Sequence, residues 1–281
     1  MIKISEIFYS IQGEGQYVGV PSIFLRTFGC NFTCSGFGMA RGEHSTERDA
    51  IAKDMDRYKD YRDLPLVSTG CDSYASWDPR FKHLSPMLTV DAIIERFKEL
   101  LPNGTFGKDK HLIITGGEPL LGWQRSYPKL IDRCIEMGLT HLTFETNGTQ
   151  PLSHEFNTYL TELAYDGVEI TFSISAKLPC SGEKWEEAIV PQVIDQYVQI
   201  PNNHSYFKFV VATEEDVQDA HRAIKEYAAA GIDIPVYLMP VGGVNSVYEL
   251  NERQVADYCR DNGLRFSPRI QVPLYKNAWG T

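Results

Sequence analysis

The sequence predicts a parallel α/β fold, on three observations. Short β-rich runs alternate with longer amphipathic stretches from about residue 88 to the end, and a similar run at 22–28 opens the series. Each run is rich in Ile, Val, Phe, Thr or Tyr and stops at Gly, Pro, Asn or Ser. The stretches between runs are long enough for crossover helices, which parallel neighbours require. Six such units build an open or partial barrel, or a doubly wound sheet. Periodicity does not separate these.

The β-runs are SIFLRTF (22–28), HLIITGG (111–117), THLTFETN (140–147), VEITFSIS (168–175), YFKFVVA (206–212) and PVYLMPV (235–241). The helical patterns are TVDAIIERFKELL (89–101), YPKLIDRCIEMG (127–138), HEFNTYLTELAYD (154–166), EEDVQDAHRAIKEYAAAG (214–231) and SVYELNERQVADYCRDNG (246–263). Thr213 stands where an N-cap belongs, and Gly138, Gly231 and Gly263 where C-caps belong. Residues 38–70 do not fit the alternation. They are polar and charged, have a helical middle and lack a strand, so they read as an insertion. With no internal repeat, low-complexity tract or linker, the chain 1–281 reads as one domain carrying that insertion.

A chain of 281 residues with 43% hydrophobic content can bury a large core. The net charge of −10 argues against a nucleic-acid binder, which would carry a basic face. No apolar run approaches the roughly 18 residues that span a bilayer, and MIKISEIFYSIQGEG is too polar for a signal peptide. The expected location is the cytoplasm, without membrane attachment. There the cysteines are expected as thiols, metal ligands or catalytic groups rather than disulfides.

The motifs that carry chemistry fall where β-runs end, which in parallel α/β folds is where ligands bind. GCNFTCSGFGM begins a C-x3-C-x2-C pattern suited to three irons of a [4Fe–4S] cluster, but Phe37 takes the third place. Deleting residues 38–70 brings Cys71 close to it, so the pattern reads as interrupted, C-x3-C-x36-C, with Cys30, Cys34 and Cys71 as ligands. The plainer reading is three free thiols. Thr115-Gly116-Gly117-Glu118-Pro119, Glu145-Thr146-Asn147-Gly148, Ser175-Ala176-Lys177 and Met239-Pro240 end later runs. Taken singly, QGEG is a Gly-rich turn, Arg26 a strand residue reaching solvent, and Lys177 and Glu145 rim salt-bridge partners. Cys134 and Cys259 lie on helical patterns and read as core thiols, Cys180 as a spare one. The histidines show no metal-ligand spacing.

Together these motifs resemble the radical S-adenosylmethionine (SAM) enzymes and, more closely, the 7-carboxy-7-deazaguanine synthase family. IFYSIQGEGQYVGVPSIFLRTFGCNFTC is the most specific part, and TGGEP, ETNGT, S-x-K at 175–177 and SPRIQVPLYKNAWGT agree with it. The resemblance implies a partial (β/α)6-type barrel with the cluster and SAM at the strand C-terminal rim. It implies that Cys30, Cys34 and Cys71 hold the cluster and leave one iron open for SAM. Gly117 and Glu118 would then meet the SAM amino group, and Ser175, Ala176 and Lys177 its polar groups. Met239 and Pro240 would pack on the adenine, with Gly70 and Asp72 beside the cofactor. Gln12, Gly13, Glu14, Arg26, Thr115 and Thr281 would hold a pterin, and Ser73, where the family has Thr, would bind Mg²⁺. The implied reaction is radical ring contraction of 6-carboxy-5,6,7,8-tetrahydropterin to 7-carboxy-7-deazaguanine with loss of ammonia, driven by an electron donor such as flavodoxin. A homodimer is the family expectation. The x36 spacing and Ala176 in place of the usual Pro depart from the pattern. Two other readings are a radical-SAM activase acting on a partner protein and a non-catalytic regulatory protein with the same fold.

Overall fold

The computed structural model describes residues 1–242 and 252–281. Strands β1 (Ile2–Ile11), β2 (Pro21–Thr27), β3 (Met87–Leu88), β4 (His111–Gly116), β5 (His141–Thr146), β6 (Glu169–Ile174), β7 (Tyr206–Val211), β8 (Val236–Pro240) and β9 (Arg265–Phe266) form one sheet, in the order β3-β1-β2-β4-β5-β6-β7-β8-β9. From β2 to β9 all neighbours are parallel, while β1 pairs antiparallel with both β2 and β3. Successive parallel strands are adjacent and the outermost strands do not pair, so the sheet is a partial (β/α)6-type barrel rather than a doubly wound sheet, whose order would reverse.

The helices are α1 (Glu47–Ala52), α2 (Val90–Leu100), α3 (Tyr127–Glu136), α4 (His154–Tyr165), α5 (Trp185–Ala188), α6 (Pro191–Val198), α7 (Glu214–Ala229), α8 (Glu252–Asp261) and α9 (Gln271–Tyr275). Their starts follow the capping chemistry. The Thr89 hydroxyl accepts from Ala92 N at 3.2 Å, Ser153 from Phe156 N at 3.2 Å, and Thr213 with Asp216 closes a capping box on α7. The helix expected over 246–263 is seen from Glu252 onward, and its first part lies outside the described residues.

Strand alternation divides the sheet into two faces. One face sends Leu112, Ile114, Leu142, Phe144, Ile170 and Phe172 against the helices, where they form the main core with residues such as Phe97, Leu130 and Leu160. The other carries Arg26, Thr115, Glu145, Ser173 and Lys208, all lining one cavity. The six anticipated strands match to within about a residue at most ends. β1 was not anticipated, and its irregularity explains why. A register shift between Ile4 and Glu6 lets Ser5 and Glu6 both turn inward, which breaks the alternation that marks a strand. β3 and β9 have two residues each, too few for a periodic signal.

His111 opens β4 at the rim opposite the cavity. It stacks on His141 with ring centroids 4.4 Å apart and meets the edge of Tyr17 at 4.6 Å. Burial, with His141 adding to it, lowers His111 from the usual 6.5 to about 4. The unfolded chain therefore takes up this proton before the folded chain does, and acidification through that interval favours unfolding. His111→Phe keeps an aromatic ring in the stack. It is expected to lose less urea resistance than the wild type between pH 7 and pH 5, measured as the shift in denaturation midpoint.

Candidate active site

The cavity opens at the C-terminal ends of the parallel strands and holds about 280 Å³. Cys30, Cys34 and Cys71 all face it, with Phe32, Phe37 and Ala188 packed around them. Phe37 does occupy the third position of the pattern, but the chain returns to it: Gly70 N donates to Phe37 O at 2.7 Å. Cys71 thus arrives one residue after the segment 38–70 closes on itself. Burial raises Cys30 to about 12 and also raises Cys34 and Cys71, while the Lys177 ammonium opposes the rise at each. Cys134 and Cys259 are buried in the main core, and the Cys180 thiol donates to Val210 O at 3.5 Å.

Cys34 adopts a left-handed backbone, φ 46°, unusual for a residue with a side chain. The Glu183 carboxylate holds it there. Its Oε1 accepts from Thr33 N at 2.8 Å, Cys34 N at 2.7 Å and Thr33 Oγ1 at 3.2 Å. Gly36 completes the seat, donating to Ser181 O at 2.9 Å. Sequence reading missed Glu183, because nothing local links a carboxylate in LPCSGE to a loop about 150 residues earlier.

Behind the cysteines the TGGEP turn needs its glycines for close backbone approach. A Cβ on Gly117 would meet Gly29 O at 2.4 Å, and one on Gly116 would meet Thr27 O at 2.4 Å. Gly117 lines the cavity but Glu118 does not. The Glu118 side chain is fully buried and braces the end of β5, accepting from Leu120 N (3.0 Å), Thr146 Oγ1 (2.9 Å) and Asn147 N (2.7 Å). Ser175 and Lys177 face the cavity and share a 3.0 Å hydrogen bond, whereas the Ala176 side chain turns into the main core. Gly70, Asp72, Ser73, Thr115, Met239, Pro240 and Thr281 line the cavity with Gln12, Gly13, Glu14 and Arg26.

The polar residues of this wall are tied to one another. Gln12 Nε2 donates to Glu145 Oε1 at 3.0 Å, and Gln12 Oε1 accepts from Glu14 N at 3.0 Å. Glu14 accepts from Lys208 Nζ at 2.6 Å, Arg269 Nε at 3.0 Å and Gln271 Nε2 at 2.7 Å. Burial alone would raise the Glu14 carboxyl. Lys208 and Arg269 outweigh it and hold the group well below the usual carboxylate range. Arg269 Nη2 reaches Asp72 Oδ2 at 2.7 Å, and the Asp72 Oδ1 accepts from Ser73 Oγ at 3.2 Å. Arg26 donates to Ser73 Oγ at 3.1 Å and to Glu6 Oε2 at 2.9 Å. Sequence reading missed Lys208, Arg269 and Gln271. Lys208 had a usable signal, a lone charge at an inward position of an otherwise apolar β-run.

The seat of the cysteine loop yields a direct test. A Cβ on Gly36 would lie 2.6–2.9 Å from the backbone of residues 180–182, which has no flexible end to give way. Gly36→Ala is expected to cost about 1–3 kcal/mol through overpacking, read as a lowered urea midpoint at unchanged m-value.

No family profile matches the chain. It is 27% identical to the 7-carboxy-7-deazaguanine synthase of Halobacterium salinarum, covering 99% of this chain and 91% of that protein. To the synthase of Pyrobaculum aerophilum it is 26% identical, covering 99% and 97%. The crystal structure of QueE from Escherichia coli shares the fold, with a TM-score of 0.52 and 19% identity over 95% of this chain and 92% of that one. The similarity to these 7-carboxy-7-deazaguanine synthases runs the length of both proteins, over a sheet whose strand ends carry the cysteine loop and the QGEG turn.

Proposed function

We propose that the chain converts 6-carboxy-5,6,7,8-tetrahydropterin to 7-carboxy-7-deazaguanine with loss of ammonia, using a [4Fe–4S] cluster, SAM and Mg²⁺. One observation carries the reading: the three cysteines and the Gln12-to-Arg26 wall face the same cavity. The thiols suit a cluster better than a single ion. Among the described residues no three His, Cys, Asp or Glu side chains converge on one ion position, and a cluster asks its thiolates to spread over different irons. When bound, the cluster and SAM supply the one-electron chemistry that begins a radical ring contraction.

The chain's own residues orient and enclose. Cys30, Cys34 and Cys71 would hold the cluster, with the Lys177 cation beside them favouring thiolate. The Gly117 backbone, Ser175 and Lys177 would meet the polar end of SAM, and Met239 and Pro240 its adenine. Glu118 would act indirectly, by bracing the strand end beneath. The Arg26 fork suits the substrate carboxylate. Gln12 and Glu14 offer the amide-and-carboxylate edge that a pterin's amino and lactam groups pair with. Ser73 and Asp72 present the oxygen ligands that Mg²⁺ prefers. An external donor such as flavodoxin, a homodimer and a cytoplasmic location complete the proposal. In its support, no helix among the described residues is long and apolar enough to cross a membrane.

Two tests follow from these assignments. Cys71→Ser, like Cys30→Ser and Cys34→Ser, is expected to abolish cluster absorbance and SAM cleavage after anaerobic reconstitution, while Cys180→Ser retains its iron. A Cys71→Ser protein holding four irons with unchanged spectra defeats the ligand assignment. Arg26→Lys keeps a cation beside Glu6 but loses the fork. It is expected to lose at least tenfold in kcat/KM for the pterin, about 1.4 kcal/mol per decade, with iron content and pterin-independent release of 5′-deoxyadenosine retained. Wild-type protein that cleaves SAM yet makes no deazaguanine from the pterin defeats the synthase reading.

A further inference from the structure

Residues 38–70 build one side of a second, smaller core, separate from the one behind the sheet. Tyr61, Leu64 and Val67 from this segment pack with Tyr74, Ala75 and Phe81 from the chain that follows, and Trp279 packs against them. The Trp279 ring meets the edge of Tyr61 at 4.8 Å and of Tyr74 at 5.9 Å, and its Nε1 donates to Leu64 O at 2.7 Å. Tyr74 in turn donates to Pro65 O at 2.8 Å, closing the socket around the indole. Aromatic edges and a hydrogen bond of this kind fix an indole by both its apolar body and its polar corner.

The seat has a consequence for the cavity. After α9, Lys276 and Asn277 both take left-handed backbone conformations, φ 56° each, which turns the chain back over the strand ends. Asn277, Ala278, Gly280 and Thr281, and an edge of the seated Trp279 itself, then line the same cavity as Arg26 and Ser73. Gly280 lies beside Glu6, the partner of Arg26, such that a Cβ there would stand 4.0 Å from Glu6 Oε1. Two consecutive residues of that conformation are costly without glycine. The seated indole follows two residues later.

We propose that the 38–70 segment is a socket for Trp279, and that the seated indole holds residues 277–281 as the pterin-facing wall of the cavity. Tyr61 and Leu64 are then positioning residues for substrate, acting through Trp279, 215 residues beyond Leu64, and through the tail that the indole anchors. The proposal rests on the pterin reading for the ligand it names, and on geometry alone for the socket. It assigns the segment that interrupts the cysteine pattern a task separate from holding the cysteines.

The experiment has two independent arms on the reconstituted enzyme. In the first, trypsin cleavage after the exposed Lys276 is followed by mass spectrometry. Trp279→Ala and Tyr61→Ala are each expected to accelerate it at least tenfold over wild type. In the second, pterin affinity is measured by calorimetric titration. Both variants are expected to weaken it at least tenfold, with iron content and pterin-independent SAM cleavage unchanged. The double variant is expected to be no worse than either single one, because either change empties the same seat. Trp279→Phe retains a ring in the socket and loses only the Nε1 donor, so an intermediate effect in both arms is expected and guards against a misfolded alanine variant. Unchanged cleavage after Lys276 in both alanine variants overturns the socket. Faster cleavage with unchanged pterin affinity, or additive losses in the double variant, overturns the positioning role. If the wild type binds no pterin, the proposed function and the positioning role both fall, and the cleavage arm still decides the socket.

Discussion

At Glu14 a carboxylate is taken out of water between two cations that reach it from distant parts of the chain, Lys208 from β7 and Arg269 from the segment after β9. Withdrawing each ion from water costs several kcal/mol, and attraction offsets that cost only when geometry is good and the remaining donors are used. Gln271 donates a further hydrogen bond to the Glu14 carboxylate, and Asp72 accepts from the far end of the Arg269 guanidinium. The QGEG turn, the last parallel strands and the exit of the cysteine loop are therefore coupled. Displacing one member leaves an unpaired buried charge at the next. This network sets where the Gln12-to-Arg26 wall stands relative to the thiols, although it contains no thiol itself.

The segment 38–70 would ordinarily weaken such an arrangement by lengthening the loop between Cys34 and Cys71. Replacing two intervening residues by thirty-six costs only about 2–3 kcal/mol in closure entropy, because that term grows with the logarithm of length. Its own small core offsets this, as do the Phe37–Gly70 hydrogen bond at its neck and the ion pairs from Arg41 to Glu215 and Asp219 on α7. The segment is tied at its neck, at its core and at its flank.

Much of this was legible in the sequence. The strands announced themselves through β-branched and aromatic runs ending in Gly, Pro or Asn, and the helices through capping residues such as Thr213. The cysteines and the QGEG turn were found because a motif is a local pattern. What stayed hidden depended on partners far along the chain. The Arg269–Glu14 pair spans 255 residues, and Glu183 meets Cys34 N from 149 residues away. A sequence shows that such charges exist but not which of them meet. Glu118 and Ala176 show a second limit. Both sit inside a rim motif, yet the alternation of direction along the backbone turns one under the rim and the other into the core.

On the Gln12-to-Arg26 side of the cavity the charges are paired: Arg26 with Glu6, Lys208 and Arg269 with Glu14, and Arg269 again with Asp72, whereas Lys177, near the cysteines, meets the Ser175 hydroxyl. A small anion entering on that side gains a cation only by breaking a buried pair, and that leaves the abandoned carboxylate uncompensated. A rigid heterocycle with donors and acceptors along one edge and a carboxylate at its side can instead replace several partners at once, so that each group exposed by its entry is satisfied again. Selection then arises from the cost of incomplete exchange more than from attraction. A cavity built this way in an acidic protein needs no net positive charge to hold a carboxylated ligand. It needs the paired groups to be held rigidly enough that only a ligand matching all of them together is accepted, and the buried Glu14 network supplies that rigidity.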